Sequence, residues 1–204
     1  MQGNSTKIYF MRLLKDGHRW QYTDIAGNGN KPKFYFTSIQ WLLILVSAIG
    51  TPFLLKGFNK DFISYIMTAL SIFIGLFLTL ILTAFDKFHD RNDIQRPTHE
   101  DQRYLKTRKN FFKQFTSLTA YAIVLSLFCI VLLGVISLTD PTFSDSILNY
   151  PLASPSKDNI MRCFRVFSKT VFNIIIMYFL LNFLLLVLYA VTSMHAYMKI
   201  EFDK

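Results

Sequence analysis

The chain has 204 residues, of which 52% are hydrophobic and 17% are charged, and its formal net charge is +9. Its mean hydropathy is +0.32, and its charged fraction is below the about 25% of soluble domains. Together with long apolar blocks, these values exclude an ordinary soluble globular protein and are typical of membrane-spanning helices. The sequence has two cysteines, too few for a disulfide framework or a thiolate metal cage.

The N-terminal 33 residues are polar and contain no cleavage site of a secretory signal peptide. Asp16-Gly17 is preceded by the apolar residues Ile8, Tyr9, Phe10, Met11, Leu13 and Leu14 and followed by Trp20, Tyr22 and Ile25. Asp-Gly between two such groups is a turn signal of β-hairpins. We therefore expect residues 1–33 to form a cytoplasmic tail with a β-hairpin that packs on the end of the membrane domain.

Arg12 and His18 in this tail have the Arg-x5-His spacing of certain helical ribonucleases. In those enzymes both side chains converge across a dimer interface, and this arrangement requires a helix. Asp16-Gly17 interrupts such a helix, and this spacing also occurs often by chance. We therefore do not expect a ribonuclease site here.

Four stretches contain no Asp, Glu, Lys or Arg and are long enough to cross about 30 Å of hydrocarbon as helices. Strands are excluded because apolar and polar residues do not alternate. The sequence thus predicts an all-α integral membrane protein with a four-helix transmembrane bundle over residues 34–198. The predicted spans are residues 34–55, 62–85, 115–139 and 170–198.

The distribution of Lys and Arg near the span ends predicts the orientation. Sixteen of these residues lie in the N-terminal tail, the loop 86–114 and the C-terminal tail 199–204, whereas six lie in the other two connections. We expect a multi-pass protein of the cell (inner) membrane with both termini in the cytoplasm. Residues 140–169 would then form an outer loop.

The cytoplasmic loop 86–114 carries eight basic and five acidic residues. Helical extensions of the second and third spans are predicted on either side of Pro97. On the third-span extension, Tyr104, Phe111 and Phe115 would form an aromatic face above the bilayer. Four basic residues of this extension are predicted to form a contact surface for a partner or for lipid headgroups: Arg103, Lys106, Arg108 and Lys109.

A second pattern in this loop consists of carboxylates and an imidazole at helical spacing, namely Asp86, His89, Asp90 and Asp93. They share one helix face and have the ligand types of a divalent-cation site. Basic residues stand among them, so we interpret this face as a solvated surface of mixed charge. No metal and no cofactor is expected.

Two polar patterns lie inside the predicted spans. Small residues recur every fourth position in the second span, at Ser71, Gly75, Thr79 and Thr83. They predict close packing with a helix of the same chain or of a second copy. The fourth span has a polar face that either forms interhelical hydrogen bonds or lines a water-filled path: Tyr178, Asn182, Tyr189 and Ser193.

No nucleophile–base pair, phosphate-binding loop or paired carboxylates are found near the spans, so we do not expect an enzyme. A secondary transporter is disfavoured because the spans lack Asp, Glu, Lys and Arg. Two classes remain. One is a membrane-anchored regulator that acts on a protein partner through its basic cytoplasmic face, and the other is a homo-oligomeric effector that opens the bilayer. Nucleic acid is not expected as a direct ligand.

The overall plan consists of a basic tail, four spans and a long charged loop. It includes the segment Ser71-Ile72-Phe73-Ile74-Gly75-Leu76-Phe77 and the later Phe85-Asp86-Lys87-Phe88. This plan resembles small membrane accessories of bacterial defence loci, first the four-span accessory of type VI-B CRISPR systems and second the membrane subunit of the Kiwa antiphage system. The resemblance implies a role in antiviral defence, either modulation of an RNA-targeting nuclease or action at the membrane during infection.

Overall fold

The computed structural model describes residues 3–29, 36–53, 60–89, 99–139 and 157–202. All regular elements in these ranges are α-helices, which confirms the predicted all-α class. The helices are α1 (Gly3–Trp20), α2 (Ser38–Phe53), α3 (Lys60–His89), α4 (His99–Thr139) and α5 (Lys157–Phe202).

Three helices are long and apolar enough to cross a membrane: α3, α4 and α5. The 41 residues of α4 extend over about 60 Å and the 46 residues of α5 over about 70 Å at the usual helical rise. Both therefore continue well beyond about 30 Å of hydrocarbon. α4 begins before the charge-free run that starts at Phe115, and α5 begins at Lys157, inside the segment expected to be an outer loop.

Within the described residues, the helix in the first predicted span is shorter than expected. α2 has 16 residues and is about 24 Å long, so it does not reach the length of a full crossing. Its start is fixed by a reciprocal cap: the backbone N–H of Gln40 donates to Thr37 Oγ1 (3.3 Å), and the N–H of Thr37 donates to Gln40 Oε1 (3.0 Å). This capping box places the helix start at Ser38 instead of Phe34.

The predicted N-terminal β-hairpin is wrong. Residues Gly3–Trp20 form one continuous helix, and the described part of the chain contains no strand, only an isolated bridge between Thr23 and Gly29. Phe10, Leu13, Leu14 and Gly17 recur at the helical spacing i, i+3, i+4 and i+7. This periodicity outweighs the turn preference of the Asp-Gly dipeptide.

The continuity of α1 also removes the argument that Asp16-Gly17 separates Arg12 from His18. Both residues lie on one helix, at positions about 120° apart around its axis. The His18 ring lies edge-on to Tyr22, with centroids 5.6 Å apart. A shared helix alone does not create a ribonuclease site, because the arginine and histidine of such a site must converge.

α4 lies at the centre of the fold and packs against α1, α3 and α5, while α2 packs on α5. α4 and α5 are antiparallel, since Phe128 faces Phe179 at 5.3 Å while Phe111 faces Tyr197 at 4.3 Å. The largest fully buried apolar side chains belong to these two helices. They are Leu118, Cys129, Leu133, Ile176 and Leu186.

The outer surface of this bundle is apolar. Leu82 and Phe85 of α3, Val131 of α4 and Leu188 of α5 each have more than 60% of their surface exposed. Exposed apolar surface this continuous is unfavourable in water but is covered by lipid tails in a bilayer. The fold is therefore that of a membrane protein with three helices of spanning length.

Candidate functional site at the polar end of α4

We call residues 102–114 of α4 the polar end of α4. Buried polar side chains, hydrogen bonds and exposed cations cluster around these residues. The turn that follows α1 is closed by its own hydrogen bonds. The N–H of Asp24 donates to Asn28 O (2.9 Å), and the N–H of Asn28 donates to Asp24 Oδ1 (2.7 Å). Gly27 has a φ of +91°, a left-handed conformation that L side chains rarely adopt.

Gln114 fastens this turn and the end of α1 to α4. Its buried Nε2 donates to the carbonyl oxygens of Trp20 (3.2 Å) and Thr23 (2.7 Å). These carbonyls have no partner within α1 itself because they lie at or beyond its last turn. The side chain of Gln114 thus acts as a C-terminal cap supplied by another helix.

Two further glutamines extend the connection to α2. Gln40 Nε2 donates to Gln21 Oε1 (2.7 Å), and Gln21 Nε2 donates to Gly17 O (3.4 Å). All three glutamines are buried, where a satisfied hydrogen bond stabilises more than it does in water. No local sequence pattern indicates this linkage, because the three residues are far apart along the chain.

Gly17 lies at a close approach of α1 to α4. A Cβ atom at this position would lie 2.5 Å from Tyr121 Cβ and 2.7 Å from Tyr121 Cγ. These atoms are close to the backbone and cannot move away by a simple rotation. The absence of a side chain at position 17 is therefore what allows the two helices to pack.

A cavity of about 500 Å³ lies between α1, the following turn and α4. Its charged lining consists of three cations, Arg19, Lys106 and Lys113, and one carboxylate, Asp16. Asn110 and Ser117 of α4 add neutral polar groups, and the other lining residues are Trp20, Thr23, Ala26, Gly27 and Asn28. The cavity carries a net positive charge.

The predicted aromatic face of α4 is occupied by α5. The rings of Phe111 and Tyr197 are stacked, with centroids 4.3 Å apart and an angle of 7° between them. The hydroxyl oxygens of Tyr104 and Tyr197 lie 3.4 Å apart. Phe111 and Phe115 are buried together with Ala190. This face therefore holds the C-terminal part of α5 against the polar end of α4.

The four basic residues predicted for the contact surface fall into two groups. Arg103, Lys106 and Lys109 are exposed, whereas Arg108 retains only 6% of its surface. The exposed basic surface of the polar end thus lacks Arg108. It is continued by Arg19 of α1 and Lys113 of α4, which the sequence did not single out.

The small-residue stripe of α3 faces outward. Ser71, Gly75, Thr79 and Thr83 are exposed, and a Cβ built on Gly75 meets nothing within 4 Å. The hydroxyls of Ser71, Thr79 and Thr83 donate to carbonyls of the same helix at 2.7–2.9 Å. Within the described part of this chain, no helix packs over the stripe.

The polar face predicted on the fourth span lies mostly inside the bundle. Asn182 is 3% exposed, and its Oδ1 has no hydrogen-bond partner among the described residues. Ser193 is also buried and donates to Ala190 O (2.9 Å). Tyr178 and Tyr189 are half-buried. The four residues therefore line the helix interface instead of an outer surface.

Comparison with protein families, with curated proteins and with solved structures found no match. Among the side chains that the structure describes, no group of three His, Cys, Asp or Glu residues is placed to hold a metal ion. His89 lies at the end of α3, while Asp90 and Asp93 of the candidate cation face lie outside the described residues. The polar end of α4 is therefore the candidate functional site.

Proposed function

We propose that this chain is a non-enzymatic, multi-pass protein of the cell membrane that acts on a protein partner through the polar end of α4 and the helix α1 packed on it. Both termini lie in the cytoplasm in this proposal. The excess of Lys and Arg in the tails and in the loop 86–114 supports that orientation.

A fourth crossing, made by the segment that contains α2, is part of the proposal. Ala84 near the end of α3 packs with Phe111 and Phe115, so α3 ends beside the polar end of α4 and starts at the opposite end of the bundle. α1 and its turn also lie at the polar end, bonded to Gln114. This arrangement supports a crossing by the chain between residues 29 and 60, in which α2 is the described helix.

The observation that carries the function is a basic surface on a rigid support outside the apolar part of the bundle. Arg103, Lys106 and Lys109 project from α4, and α4 is held there by α1 on one side and by Tyr197 of α5 on another. Charged surfaces on a fixed scaffold steer and orient acidic partners. A partner that binds here is brought to the membrane.

The class of partner comes from the resemblance to accessory proteins of defence loci. We propose an RNA-targeting nuclease encoded beside this chain, whose activity during infection the chain modulates.

The test is co-expression of both proteins, with co-purification and phage restriction as readouts. The double variant Arg103→Glu/Lys109→Glu is expected to lose both. The control is Lys60→Glu, which reverses a charge at an exposed site at the start of α3, away from the polar end.

Unchanged binding in the double variant would contradict the proposed surface, and a locus without any defence nuclease would contradict the proposed partner class. RNA cleavage by the purified chain that disappears in Arg12→Ala or His18→Ala would contradict the non-enzymatic assignment. In that case the shared helix of Arg12 and His18 would be the functional feature.

An oligomeric effector that opens or depolarises the membrane is the alternative. It draws support from the outward-facing stripe of α3, which is available to a second copy. The burial of Asn182 and Ser193 weighs against it, because a pore lined by these residues requires α5 to turn out of the bundle. Ion flux from liposomes that contain the purified chain and its trigger would favour this alternative, and tight vesicles would count against it.

A further inference from the structure

We propose that the cavity between α1 and α4 binds the phosphate group of an anionic lipid headgroup. This inference goes beyond the proposed function and does not rest on it, because it concerns the chain alone in a membrane. The volume of about 500 Å³ lies within the usual range of ligand sites, about 300–1,000 Å³.

The chemistry of the cavity fits a phosphate. Arg19, Lys106 and Lys113 bring three positive charges to its lining against the single carboxylate of Asp16. An arginine guanidinium presents paired N–H donors that match phosphate oxygens, and lysines add compact positive charge. Asn110 contributes an amide donor. An anion in the cavity would offset the mutual repulsion of the three cations.

The depth of the cavity fits a lipid. One side of its lining is formed by Lys106, Asn110, Lys113 and Ser117 of α4, which bracket the point where the charge-free run begins at Phe115. Trp20 lines the cavity and also packs against the apolar core. Tryptophan and lysine at such a boundary are typical of the headgroup level of a membrane.

α1 has the features of a helix that lies in this headgroup region. Leu13 and Leu14 lie on the face of α1 that contains Gly17 and packs on α4. Ile8, Tyr9, Phe10 and Met11 are exposed apolar side chains, and Arg12, Lys15 and Arg19 are exposed cations of the same helix. Exposed apolar and basic side chains on one helix are typical of helices that lie in the membrane interface. The cavity would then open at the height of the lipid phosphates.

The site is preorganised by contacts that do not involve the cations. Gln114 fixes the end of α1, Gly17 fixes the helix separation, and the bonds between Asp24 and Asn28 close the turn. A ligand entering such a rigid cavity does not have to order the backbone around it. Removal of the cations is therefore expected to weaken binding without unfolding the site.

The test is a titration of the full-length chain in neutral detergent with short-chain phosphatidylglycerol, followed by native mass spectrometry. Phosphatidylcholine serves as the zwitterionic comparison. Lys106→Gln and Lys113→Gln are each expected to weaken phosphatidylglycerol binding about fivefold. The matched controls are Arg103→Gln and Lys109→Gln, exposed cations of the same helix that do not line the cavity, and their binding is expected to stay within twofold.

Equal binding by wild type and the Lys106→Gln/Lys113→Gln variant would overturn the proposal. An equal loss in the control variants would also overturn it, because the interaction would then be general surface attraction. A third arm uses ATP and inorganic phosphate. If these soluble ligands bind through the same lysines while phosphatidylglycerol is not preferred over phosphatidylcholine, the lipid assignment is wrong and the site serves a soluble phosphate ester.

Discussion

At the scale of single residues, the contacts between α1 and α4 depend on two side-chain properties that hydrophobicity does not report. Position 17 must be glycine because any Cβ would meet Tyr121 at 2.5 Å. Position 114 carries an amide that donates to two backbone carbonyls at once. These two residues help to hold the short helix α1 on the long helix α4.

Gly17→Ala is expected to destabilise the chain even though alanine favours helices over glycine by about 1 kcal/mol. Overpacking at a close contact costs about 1–3 kcal/mol, and the clash involves atoms next to the backbone of Tyr121. Thermal unfolding in detergent measures the change. Gly75→Ala is the matched control, since nothing lies within 4 Å of its added Cβ, and it should be neutral or stabilising. Equal effects of both substitutions would contradict the observed packing.

Gln114→Ala is expected to lower stability by about 1–3 kcal/mol, because it leaves buried carbonyls of Trp20 and Thr23 without these donors. The first readout is faster proteolysis or hydrogen exchange in α1. Gln102→Ala, at an exposed position of the same helix, should leave the stability of the chain and the protection of α1 unchanged. Protection of α1 that stays at the wild-type level in Gln114→Ala would show that the cap is dispensable.

Asn182→Leu is expected to maintain or raise the thermal stability of the chain. The buried Oδ1 of Asn182 has no partner among the described residues, and replacing an unsatisfied polar group by an apolar one of similar shape removes its desolvation cost. A marked loss of stability would instead mean that Asn182 binds water or a second copy. That result would strengthen the alternative of an oligomeric effector.

At the scale of helices, the length of α4 and α5 is the feature that builds the functional surface. Each helix continues past the apolar part of the bundle, and an isolated helical extension would be only marginally stable in water. The stacked rings of Phe111 and Tyr197 and the docking of α1 on α4 supply the tertiary contacts that it needs. The polar end of α4 is therefore a folded part of the protein instead of a loop.

Tyr197→Ala is expected to loosen this arrangement, and hydrogen exchange over residues 102–114 should increase. The stacked aromatic pair contributes about 0.5–1.5 kcal/mol beyond its buried area. Tyr197→Phe keeps the ring and removes the hydroxyl, which lies 3.4 Å from that of Tyr104, so its exchange should stay close to that of the wild type. If the phenylalanine variant exchanges as fast as the alanine variant, the hydroxyl contact is what stabilises this end.

At the scale of the whole molecule, the ends of α1, α3 and α5 meet at the polar end of α4. In the proposed topology with both termini in the cytoplasm, the segment that contains α2 traverses the bilayer, although α2 is shorter than a standard span. Residues that flank α2, or local thinning of the bilayer, would make up the difference in length.

Cysteine labelling tests this topology in intact cells. In a chain with Cys129 and Cys163 replaced by serine, the exposed positions Lys7, Lys60 and Lys199 are changed to cysteine one at a time. An impermeant thiol reagent is expected to label Lys60→Cys from outside. Lys7→Cys and Lys199→Cys should be labelled only after the membrane is opened. Labelling of positions 7 and 60 from the same side would show that α2 does not cross.

Composition and periodicity determined the environment and the class of this protein. Long charge-free runs must be solvated by lipid, and a helix is the structure that satisfies its own backbone there; the limits of α3 and the apolar parts of α4 and α5 follow from that requirement. The exposed lysines and arginines of α4 were also predictable, because charge excludes them from hydrocarbon.

Tertiary structure decided what surrounds those residues. The sequence predicted a hairpin at Asp16-Gly17 and an exposed aromatic face on α4, whereas the structure has a helix and a face covered by Tyr197. The stripe on α3 was predicted to pack with a helix of the same chain or of a second copy, and it faces outward in this chain. Local patterns report the preference of a segment for water, lipid or a turn. They do not report which other segment will pack against that segment. The cavity lined by Arg19 and Lys113 is formed only because α1 packs on α4.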